Sequence, residues 1–310
     1  MLNLDRLFLV FAGGSAVASA LPLLSHMWWV FDLFSHFRVQ YLALSLLVVS
    51  VFAVRKRWRG VVSMLPFFVL NAHAIAAART TTDPATGSQP TFSILNVNVN
   101  STNSDYSAVV DLIEATSPDV AVLIEINDSW QNALSRLDPD YPYHVEQLQN
   151  DNFGIGLISR YPLRDTEIRD LLGTPAVSAL VEVGEERLRI VGVHLRPPLS
   201  TEWSAARNRQ LEELGRWFDM ASEPTAVVGD FNITAYSPIF SAWLDEHGLS
   251  TPARSTSTTI SWPTSLPLLG ILIDHYVTTD DIVIDDMSRG PAIGSDHYPQ
   301  FATLSLRENK

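Results

Sequence analysis

The first 79 residues are dominated by Leu, Val, Phe, Ala and Trp, whereas nearly all acidic residues lie beyond residue 82. Three apolar stretches lie in this first part, at Leu7–Val30, Val39–Val54 and Val61–Ala78. A helix needs about 20 predominantly apolar residues to span a bilayer, and each stretch approaches that length although the second is short. Residues 1–79 are therefore predicted to form a membrane domain of about three transmembrane helices.

Two other interpretations of this part remain open. A short apolar stretch close to the N-terminus can be a cleaved signal peptide, although three successive stretches do not fit simple cleavage. Alternatively, the apolar stretches can form a buried helical hairpin of a soluble protein.

A basic loop at residues 55–59 (RKRWR) separates the second and third apolar stretches. Short loops rich in Lys and Arg stay on the cytoplasmic side of a membrane. With three spans, everything after Ala78 then lies outside the cytoplasm. For a bacterial protein, this predicts an inner-membrane location with an extracytoplasmic C-terminal part.

The charge and the cysteine count exclude several classes of protein. The formal net charge is −13, which does not favour an extended non-specific nucleic-acid surface, because binding many phosphates requires clustered Lys and Arg. A phosphate-bearing substrate is still compatible with this charge, since a divalent cation can bridge carboxylates and phosphate. The chain contains no cysteine, so disulfides, cysteine nucleophiles and Cys-based zinc sites are excluded.

Residues 80–90 are rich in Thr, Pro, Gly and Ser and predict a linker, and residues 91–310 are predicted to form a separate domain. Strands dominate that domain, which favours two sheets covered by helices. The predicted strands are Phe92–Val99, Asp119–Ile126, Gly154–Ser159, Ala176–Val183, Leu188–Leu195, Thr225–Val228, Ile271–Thr278 and Gln300–Leu306. The predicted helices are Tyr106–Thr116 and Ser204–Met220.

Polar side chains recur within or just after these apolar strands, where a rigid backbone displays them at the rim of a sheet. Each one alone has a plainer explanation, such as a helix cap, an Asx-turn or a structural histidine. His275 is left out, because it follows Asp274 on a strand and successive side chains point to opposite faces. The candidates are Asn96, Glu125, His194, Asp230, Asn232, Asp274, Asp296 and His297.

The combination of these residue types predicts a specific chemistry. Two carboxylates and an amide can hold a hard cation such as Mg²⁺, which prefers oxygen ligands. A histidine oriented by a carboxylate can activate a water near neutral pH. A second histidine and an asparagine can stabilise the negative charge that develops on a phosphoryl group. Together, these are the parts that hydrolysis of a phosphoester requires.

At the same positions the chain resembles the endonuclease/exonuclease/phosphatase superfamily, which includes exonuclease III-like and DNase I-like nucleases, inositol-phosphate phosphatases and sphingomyelinases. The resemblance covers residues 91–306, and its most specific motifs are GDFN and the terminal SDH. It implies an α/β fold, a four-layer α/β/β/α sandwich of two mixed sheets. The motifs are ILNVN (94–98), VLIEI (122–126), GLISRYPL (156–163), VGVHLRPP (191–198), VVGDFNIT (227–234), LIDHYVT (272–278) and GSDHYPQFATL (294–304).

The resemblance also implies a metal site. Glu125 is then the principal ligand, with Asn96 and Asp296 close to the same ion, and the cofactor is one or two ions of Mg²⁺ or Mn²⁺. Asn96, Asn98 and Asn100 alternate along one face of the first strand, and Asn96 matches the family motif best.

Catalytic roles follow from the same resemblance. His297 is the general base that activates water, and Asp274 orients it. His194 contacts the phosphate and can act as an acid toward the leaving group. Asp230 and Asn232 position the nucleophile and the phosphoryl oxygens. The function implied is a membrane-anchored, metal-dependent phosphoester hydrolase, and the alternative is a catalytically idle binding or scaffold module on the same fold.

The substrate remains open between nucleic acid and a phospholipid head group or other small phosphodiester. Arg196, Arg207 and Arg209 are basic residues that can hold one phosphate, but solvated helix and loop positions are the simpler interpretation. Trp262–Leu269 (WPTSLPLL) is an apolar loop that we expect to pack in the core, with contact to lipid as the alternative. A transporter-like role for the helices is not favoured, because the apolar stretches contain no cluster of charges.

Overall fold

The computed structural model describes residues 4–78, 91–183, 186–252 and 260–307. These residues form two compact units. One unit contains the N-terminal helices together with the segment Ile233–Ala242, and the other contains the remaining residues. The predicted linker at residues 80–90 lies outside the described residues, and the predicted domain boundaries stay a prediction.

The N-terminal unit has an apolar core formed by three of its helices. Ala12, Val48, Phe52 and Met64 are buried together, and the two long helices that carry the last three of these residues pack against each other. The helices of this part are α1 (Leu4–Ala20), α2 (Trp29–Leu33), α3 (Arg38–Val54) and α4 (Trp58–Ala77).

Two helical stretches are long and apolar enough to cross a membrane, by length and composition alone: Trp29–Val54 and Trp58–Ala77. The first predicted span forms a shorter apolar helix at Phe8–Leu24. Its regular α-helical part ends at Ala20, where a 3₁₀ turn containing Pro22 follows. Proline cannot donate a backbone hydrogen bond, so it favours a change of geometry at this point.

A buried polar network joins helices α1, α3 and α4. The Arg38 guanidinium donates to the Ser19 carbonyl at 2.7 Å and to Asn71 Oδ1 at 3.0 Å. Asn71 Nδ2 in turn donates to the Ser19 hydroxyl at 2.9 Å. Because buried polar groups are costly without partners, this network fixes the three helices relative to one another.

The second unit contains two mixed sheets, as predicted. The first has the strand order β10-β11-β1-β2-β4-β3 and the second has the order β5-β6-β7-β8-β9. Only the pairs β1–β2 and β7–β8 are parallel among the described strand pairs. The strands are β1 (Thr91–Asn98), β2 (Val120–Ile124), β3 (Tyr143–Gln147), β4 (Ile155–Ser159), β5 (Leu163–Asp170), β6 (Pro175–Val183), β7 (Glu186–His194), β8 (Thr225–Asp230), β9 (Asp274–Thr278), β10 (Ile282–Arg289) and β11 (Gln300–Leu306).

The main hydrophobic core lies between the two sheets. It combines residues of the first sheet, such as Ile94 and Val122, with residues of the second, such as Ile190 and Val228. Gly192 in β7 leaves room for this packing, because a Cβ atom there would lie 3.0 Å from the Val122 side chain. Apolar side chains that alternate along each strand therefore hold the two sheets face to face.

Helices cover the outer face of the first sheet. Leu95 and Leu123 point away from the other sheet and pack with Val110, Ile113 and Trp130. The remaining helices of the chain are α5 (Tyr106–Thr116), α6 (Asp128–Leu134), α7 (Thr201–Asp219) and α8 (Pro238–Glu246). The first part of α8 belongs to the unit of the N-terminal helices. Two sheets with covering helices agree with the predicted sandwich.

Candidate active site

The ends of β1 and β2 meet at one edge of the first sheet, where they run parallel with Asn98 opposite Ile124. Asn98 Nδ2 donates to Glu125 Oε1 at 3.0 Å, and the backbone amide of Ser101 donates to Glu125 Oε2 at 3.1 Å. Both oxygens of this carboxylate are thus held in place. Asn98 also contacts Asp230 Oδ2 at 3.5 Å, which connects the two sheets.

Glu125 has a left-handed backbone conformation, with φ at 67°. Such a conformation is strained for a residue with a Cβ atom and is concentrated at functional sites. Its amide donates to the Gly154 carbonyl at 2.7 Å. Gly154 has to be glycine, because a Cβ atom there would lie 1.8 Å from the Ile126 carbonyl oxygen. The end of β2 is therefore built to turn the Glu125 side chain toward the rim.

The second sheet brings three further polar residues together. His194 and Asp230 pair at the ends of the parallel strands β7 and β8, and Asp274 lies opposite Asp230 at the start of β9. His194 Nε2 lies 3.5 Å from Asp230 Oδ2. All three side chains are at least 95% buried. The register of the sheet alone therefore places these groups side by side.

His297 and Asp274 form a close pair. The Nδ1 atom of His297 lies 2.8 Å from Asp274 Oδ2, and its Nε2 atom lies 3.7 Å from Asp230 Oδ2. The other oxygen of Asp274 accepts from Asn96 Nδ2 at 3.3 Å. The Ser261 hydroxyl accepts from the Asp274 amide at 3.2 Å. The imidazole is therefore oriented through one nitrogen and presents the other to Asp230.

The turn after β8 carries Asn232, which also has a left-handed backbone with φ at 52°. Its amide donates to Asp230 Oδ1 at 2.9 Å, and its Nδ2 donates to the Leu195 carbonyl at 2.9 Å. The buried Arg207 donates to the Asn232 carbonyl at 3.2 Å. Side-chain and backbone contacts on both sides thus fix the GDFN turn.

Asp296 lies beside this cluster and is held by two donors. Asn100 Nδ2 donates to its Oδ1 at 2.7 Å, and Trp262 Nε1 donates to its Oδ2 at 3.1 Å. Burial alone would raise the pKa of Asp296, but the charge of His297 and these hydrogen bonds lower it below its ordinary value. Asp296 is therefore held as a carboxylate.

Burial raises the pKa of Glu125, and the hydrogen bond from Asn98 only partly offsets the effect. Burial, together with the charge of Asp274, raises the pKa of Asp230 well above its ordinary value. Each additional negative charge in this small buried space opposes ionisation of the others. The carboxylates of the cluster therefore outnumber His297, the residue whose positive charge offsets them.

The two histidines are shifted in opposite directions. Burial would lower the pKa of His297, but the carboxylates of Asp274 and Asp230 raise it to about 10. Burial and the nearby His297 lower the pKa of His194 to about 4. His194 is therefore a neutral imidazole near neutral pH, able to donate one N–H bond.

The residues of the cluster fit a divalent cation. Asp230, Asp274 and His297 offer ligand atoms within 4.8 Å of one another. Since His297 Nδ1 already contacts Asp274, and Mg²⁺ prefers oxygen ligands, we favour the carboxylate of Glu125 as the main ligand. A cation there would also offset negative charge of the buried carboxylates that His297 alone does not balance.

The eight residues predicted from sequence all lie in or beside this cluster. Asn98 was not selected, although it is the asparagine that contacts Glu125, whereas Asn96 contacts Asp274. The only sequence feature that pointed to Asn98 was its position on the same face of β1 as Asn96. His275 contacts Thr251 and the ring of Phe231 instead of the cluster.

Two expectations about neighbouring residues were wrong. Arg207 is buried, not solvated, and holds the backbone of Asn232. The apolar loop after Trp262 does not pack its leucines in the core. Leu266, Leu268 and Leu269 are 58%, 93% and 50% exposed, because the short 3₁₀ helix at Pro267–Leu269 turns them outward.

Two face-to-face mixed sheets, with a His–Asp pair and further carboxylates at one edge, define a sandwich fold with a candidate active site. The sequence matches the model of the "Endonuclease/Exonuclease/phosphatase family" over residues 95–297. The chain belongs to this family. No curated protein is similar enough in sequence to match the chain.

Solved structures support the same fold. TDP2 of D. rerio, complexed with a single-strand DNA product, is 16% identical, with a TM-score of 0.59 over 70% of this chain and 99% of that one. An endonuclease/exonuclease/phosphatase from Bacteroides vulgatus is 17% identical, with a TM-score of 0.58 over 71% of this chain and 100% of that one. The human Nocturnin catalytic domain with a bound sulfate anion is 17% identical, with a TM-score of 0.55 over 71% of this chain and 96% of that one.

Proposed function

We propose that the chain is a membrane-anchored, divalent-metal-dependent phosphoester hydrolase that uses a His–Asp-activated water. The observation that carries the proposal is the buried pair of His297 and Asp274, whose Nδ1 and Oδ2 atoms lie 2.8 Å apart beside Asp230. A carboxylate that holds one imidazole nitrogen fixes the tautomer and leaves the other nitrogen to accept a proton. Membership of the family supports the same reaction class.

A cation held by Glu125 would offset the carboxylate charges that raise the pKa of His297 and so favour its neutral form. In the proposed reaction, the neutral His297 Nε2 removes a proton from a water as the water oxygen attacks phosphorus. The bond from phosphorus to the leaving oxygen breaks on the opposite side, and that oxygen takes up a proton from solvent. His297 then returns the proton that it removed to solvent. Asp230 and Asn232 orient the water and the phosphoryl oxygens. His194, neutral near pH 7, donates a hydrogen bond to the phosphate, which stabilises charge that develops there.

Glu125 would hold Mg²⁺ or Mn²⁺, as one or two ions, with Asn96 and Asp296 close to the same site. Asn98 supports this arrangement, because its amide group holds Glu125 Oε1. When bound, the cation supplies Lewis-acid stabilisation of the charged phosphoryl oxygens.

The helices Trp29–Val54 and Trp58–Ala77 would anchor the chain in a bilayer, with the shorter Phe8–Leu24 as a third membrane segment. A hairpin of two apolar helices leaves the basic loop at residues 55–59 on one side and the following sheets on the other. The positive-inside rule then favours an extracytoplasmic active site, as in a bacterial inner-membrane protein.

The substrate is proposed to be a phosphodiester. A nucleic acid is one candidate, because the related TDP2 fold was solved with a single-strand DNA product. A phospholipid head group is the other, since the exposed leucines of the loop after Trp262 lie on a segment that contacts Asp296. Exposed apolar groups of this kind mark contacts with proteins or membranes.

The test uses the full chain in detergent, because the segment Ile233–Ala242 lies in the same compact unit as the N-terminal helices. Hydrolysis of bis(p-nitrophenyl) phosphate, single-stranded DNA and detergent-dispersed phospholipid is measured with Mg²⁺ or Mn²⁺, and again with EDTA. We expect turnover that requires metal and falls at least about 100-fold in His297→Asn. Metal-independent turnover, or none from the folded chain, would contradict the proposal and favour an idle binding module.

His247 provides the matched control for this test. It also forms a His–Asp pair, with its Nδ1 atom 2.9 Å from Asp219 Oδ1, but that pair lies outside the carboxylate cluster. His247→Asn should therefore retain activity. Equal loss in the two variants would show that removing any such pair damages the fold, and that His297 has no special part in the reaction.

A further inference from the structure

The segment Ile233–Ala242 follows Asn232 directly and belongs to the compact unit of the N-terminal helices. It begins three residues after Asp230, the last residue of β8, and contains no charged residue. Among its hydroxyl-bearing residues, Thr234 and Ser237 are 2% and 0% exposed. Buried hydroxyls need hydrogen-bond partners, so their surroundings decide how this segment is placed.

The first partner is a carboxylate from helix α2. Asp32 is 1% exposed, and its Oδ1 accepts from the Ser237 hydroxyl at 2.6 Å. The Ser237 hydroxyl also accepts from the amide of Ile239 at 3.2 Å, in the first turn of α8. A single serine thus connects the start of α8 to the N-terminal helices through a short hydrogen bond.

The second partner is a histidine just before α3. His36 is 6% exposed, and its Nδ1 atom lies 3.0 Å from the Thr234 hydroxyl oxygen. The Thr234 carbonyl accepts from the Ser237 amide at 3.0 Å, which closes a tight turn. His36 and Asp32 therefore hold the two ends of one turn. Because the turn hydrogen bond joins Thr234 to Ser237, neither residue can move without straining the contact of the other.

Thr234 is two residues from Asn232 and four from Asp230, so only a short piece of backbone connects this turn to the reacting groups. On the other side, Asn232 is held by Arg207 and by the Leu195 carbonyl. A misplacement of about 1 Å in a catalytic group can lower a rate by about 100-fold. The positions of Asp230 and Asn232 consequently depend on the contacts that hold Thr234 and Ser237.

We propose that Asp32 and His36 are positioning residues for the active site, because they hold the turn that continues the catalytic GDFN segment. The N-terminal helices then contribute to turnover as well as to anchoring. This inference rests on the proposed phosphoesterase function, since Asp230 and Asn232 are assigned their roles there.

The test compares variants of the full chain in detergent, with bis(p-nitrophenyl) phosphate and Mg²⁺. We expect Asp32→Ala and Ser237→Ala each to lower kcat about tenfold with little change in KM. The double variant should resemble either single variant, because both remove the same contact. Asp32→Asn keeps an oxygen acceptor for Ser237 and should recover most of the activity.

Asn71→Leu is the matched control, because Asn71 belongs to the buried network with Ser19 and Arg38 and has no described hydrogen bond to the turn. It should lower the unfolding temperature but leave kcat unchanged well below that temperature. An unchanged kcat in Asp32→Ala, or an equal loss of kcat in Asn71→Leu, would overturn the proposal.

Hydrogen–deuterium exchange separates this inference from the proposed function. Asp32→Ala should increase exchange in peptides that contain residues 230–237, and Asn71→Leu should not. If the wild-type chain has no turnover, the proposed function is wrong. Increased exchange at these peptides in Asp32→Ala would still support the positioning contact. Unchanged exchange in Asp32→Ala overturns that contact in either case.

Discussion

The two asparagines of β1 contact different carboxylates of the candidate active site, so the proposed function gives them different tasks. Asn98 donates to Glu125, and Asn96 donates to Asp274, the partner of His297. Residues that orient metal ligands affect metal affinity by about 10- to 100-fold. We therefore expect Asn98→Ala to raise the Mg²⁺ concentration needed for half-maximal activity by at least about tenfold. Asn96→Ala should mainly lower kcat.

Each variant is the control for the other, because both residues lie on the same face of the same strand. Metal titrations of the two purified full-length proteins decide between them. A larger shift in metal requirement for Asn96→Ala than for Asn98→Ala would instead support Asn96 as the asparagine close to the ion, the assignment that the family motif favours.

Tyr141 couples stability to alkaline pH at a position outside the active site. Its hydroxyl donates to the Pro118 carbonyl at 2.9 Å, and burial raises the pKa of Tyr141 to about 12. Between pH 10 and 12, the unfolded chain loses this proton while the native chain keeps it. The native state therefore loses up to about 3 kcal/mol of stability as pH rises through this window.

Tyr141→Phe should reduce the free energy of unfolding by about 1 kcal/mol at pH 7, because the buried carbonyl loses its donor. Its stability should then fall less steeply than that of the wild type between pH 10 and 12. Urea unfolding at several pH values measures both effects. Tyr143→Phe, at an exposed tyrosine, is the control, and an equal pH dependence in wild type and Tyr141→Phe would refute the assignment.

At the scale of single residues, sequence patterns selected side chains that the structure brings together, but they could not distinguish neighbouring residues of the same type. Asp230, Asp274 and His297 follow apolar strands in specific motifs, so their positions were readable. The choice between Asn96 and Asn98 depends on which side chain reaches across to β2, and strand alternation places both on the same face. Arg207 was misjudged for a similar reason, since helix periodicity does not reveal a buried polar partner.

At the scale of elements, the site depends on two strand ends where the backbone leaves ordinary geometry. Gly229 pairs with Val193 between β8 and β7 and has φ at 153°. A Cβ atom there would lie 1.9 Å from the Val193 carbonyl oxygen. Backbone, not a flexible side chain, would have to move. The two parallel strands that carry Asp230 and His194 therefore require glycine at this position.

Gly229→Ala should accordingly lower the free energy of unfolding by about 3 kcal/mol or more, through overpacking and backbone strain. Gly248→Ala is the matched control, because Gly248 has φ at 61° but nothing lies within 4 Å of its added Cβ. It should cost only about 1 kcal/mol. Chemical denaturation measures both, and similar losses in the two variants would contradict the proposed close approach.

The strands that sequence analysis missed lie at sheet edges. Strand β5 (LRDTEIRD) is mostly exposed and carries charges on both faces, so it shows neither an apolar run nor a clean alternation. Strands β3 and β10 are the edges of the first sheet and are likewise half exposed. Edge strands receive their structure from pairing with a neighbour, and charged residues there discourage further pairing. Central strands such as β2 are buried on both faces and were readable.

At the scale of the whole molecule, apolar composition predicted helices in the first 79 residues but not their function in the fold. Hydropathy describes only the polarity of each residue. It does not show that Asp32 and His36 contact residues about 200 positions further along the chain. Such contacts depend on tertiary structure. The proposed link between the N-terminal helices and catalysis therefore rests on contacts that no local pattern contains.

The orientation of the chain in a membrane is the last prediction. A hairpin of helices α3 and α4 with a basic connecting loop places residues 55–59 in the cytoplasm and the sheets on the opposite side. Because the chain contains no cysteine, single cysteines report location without interference. In intact cells, a membrane-impermeant maleimide should label Leu199→Cys, at a side chain that is 72% exposed, and should not label Lys56→Cys until the cells are opened. The reverse pattern would contradict an extracytoplasmic active site, and labelling of a chain found only in the soluble fraction would contradict anchoring itself.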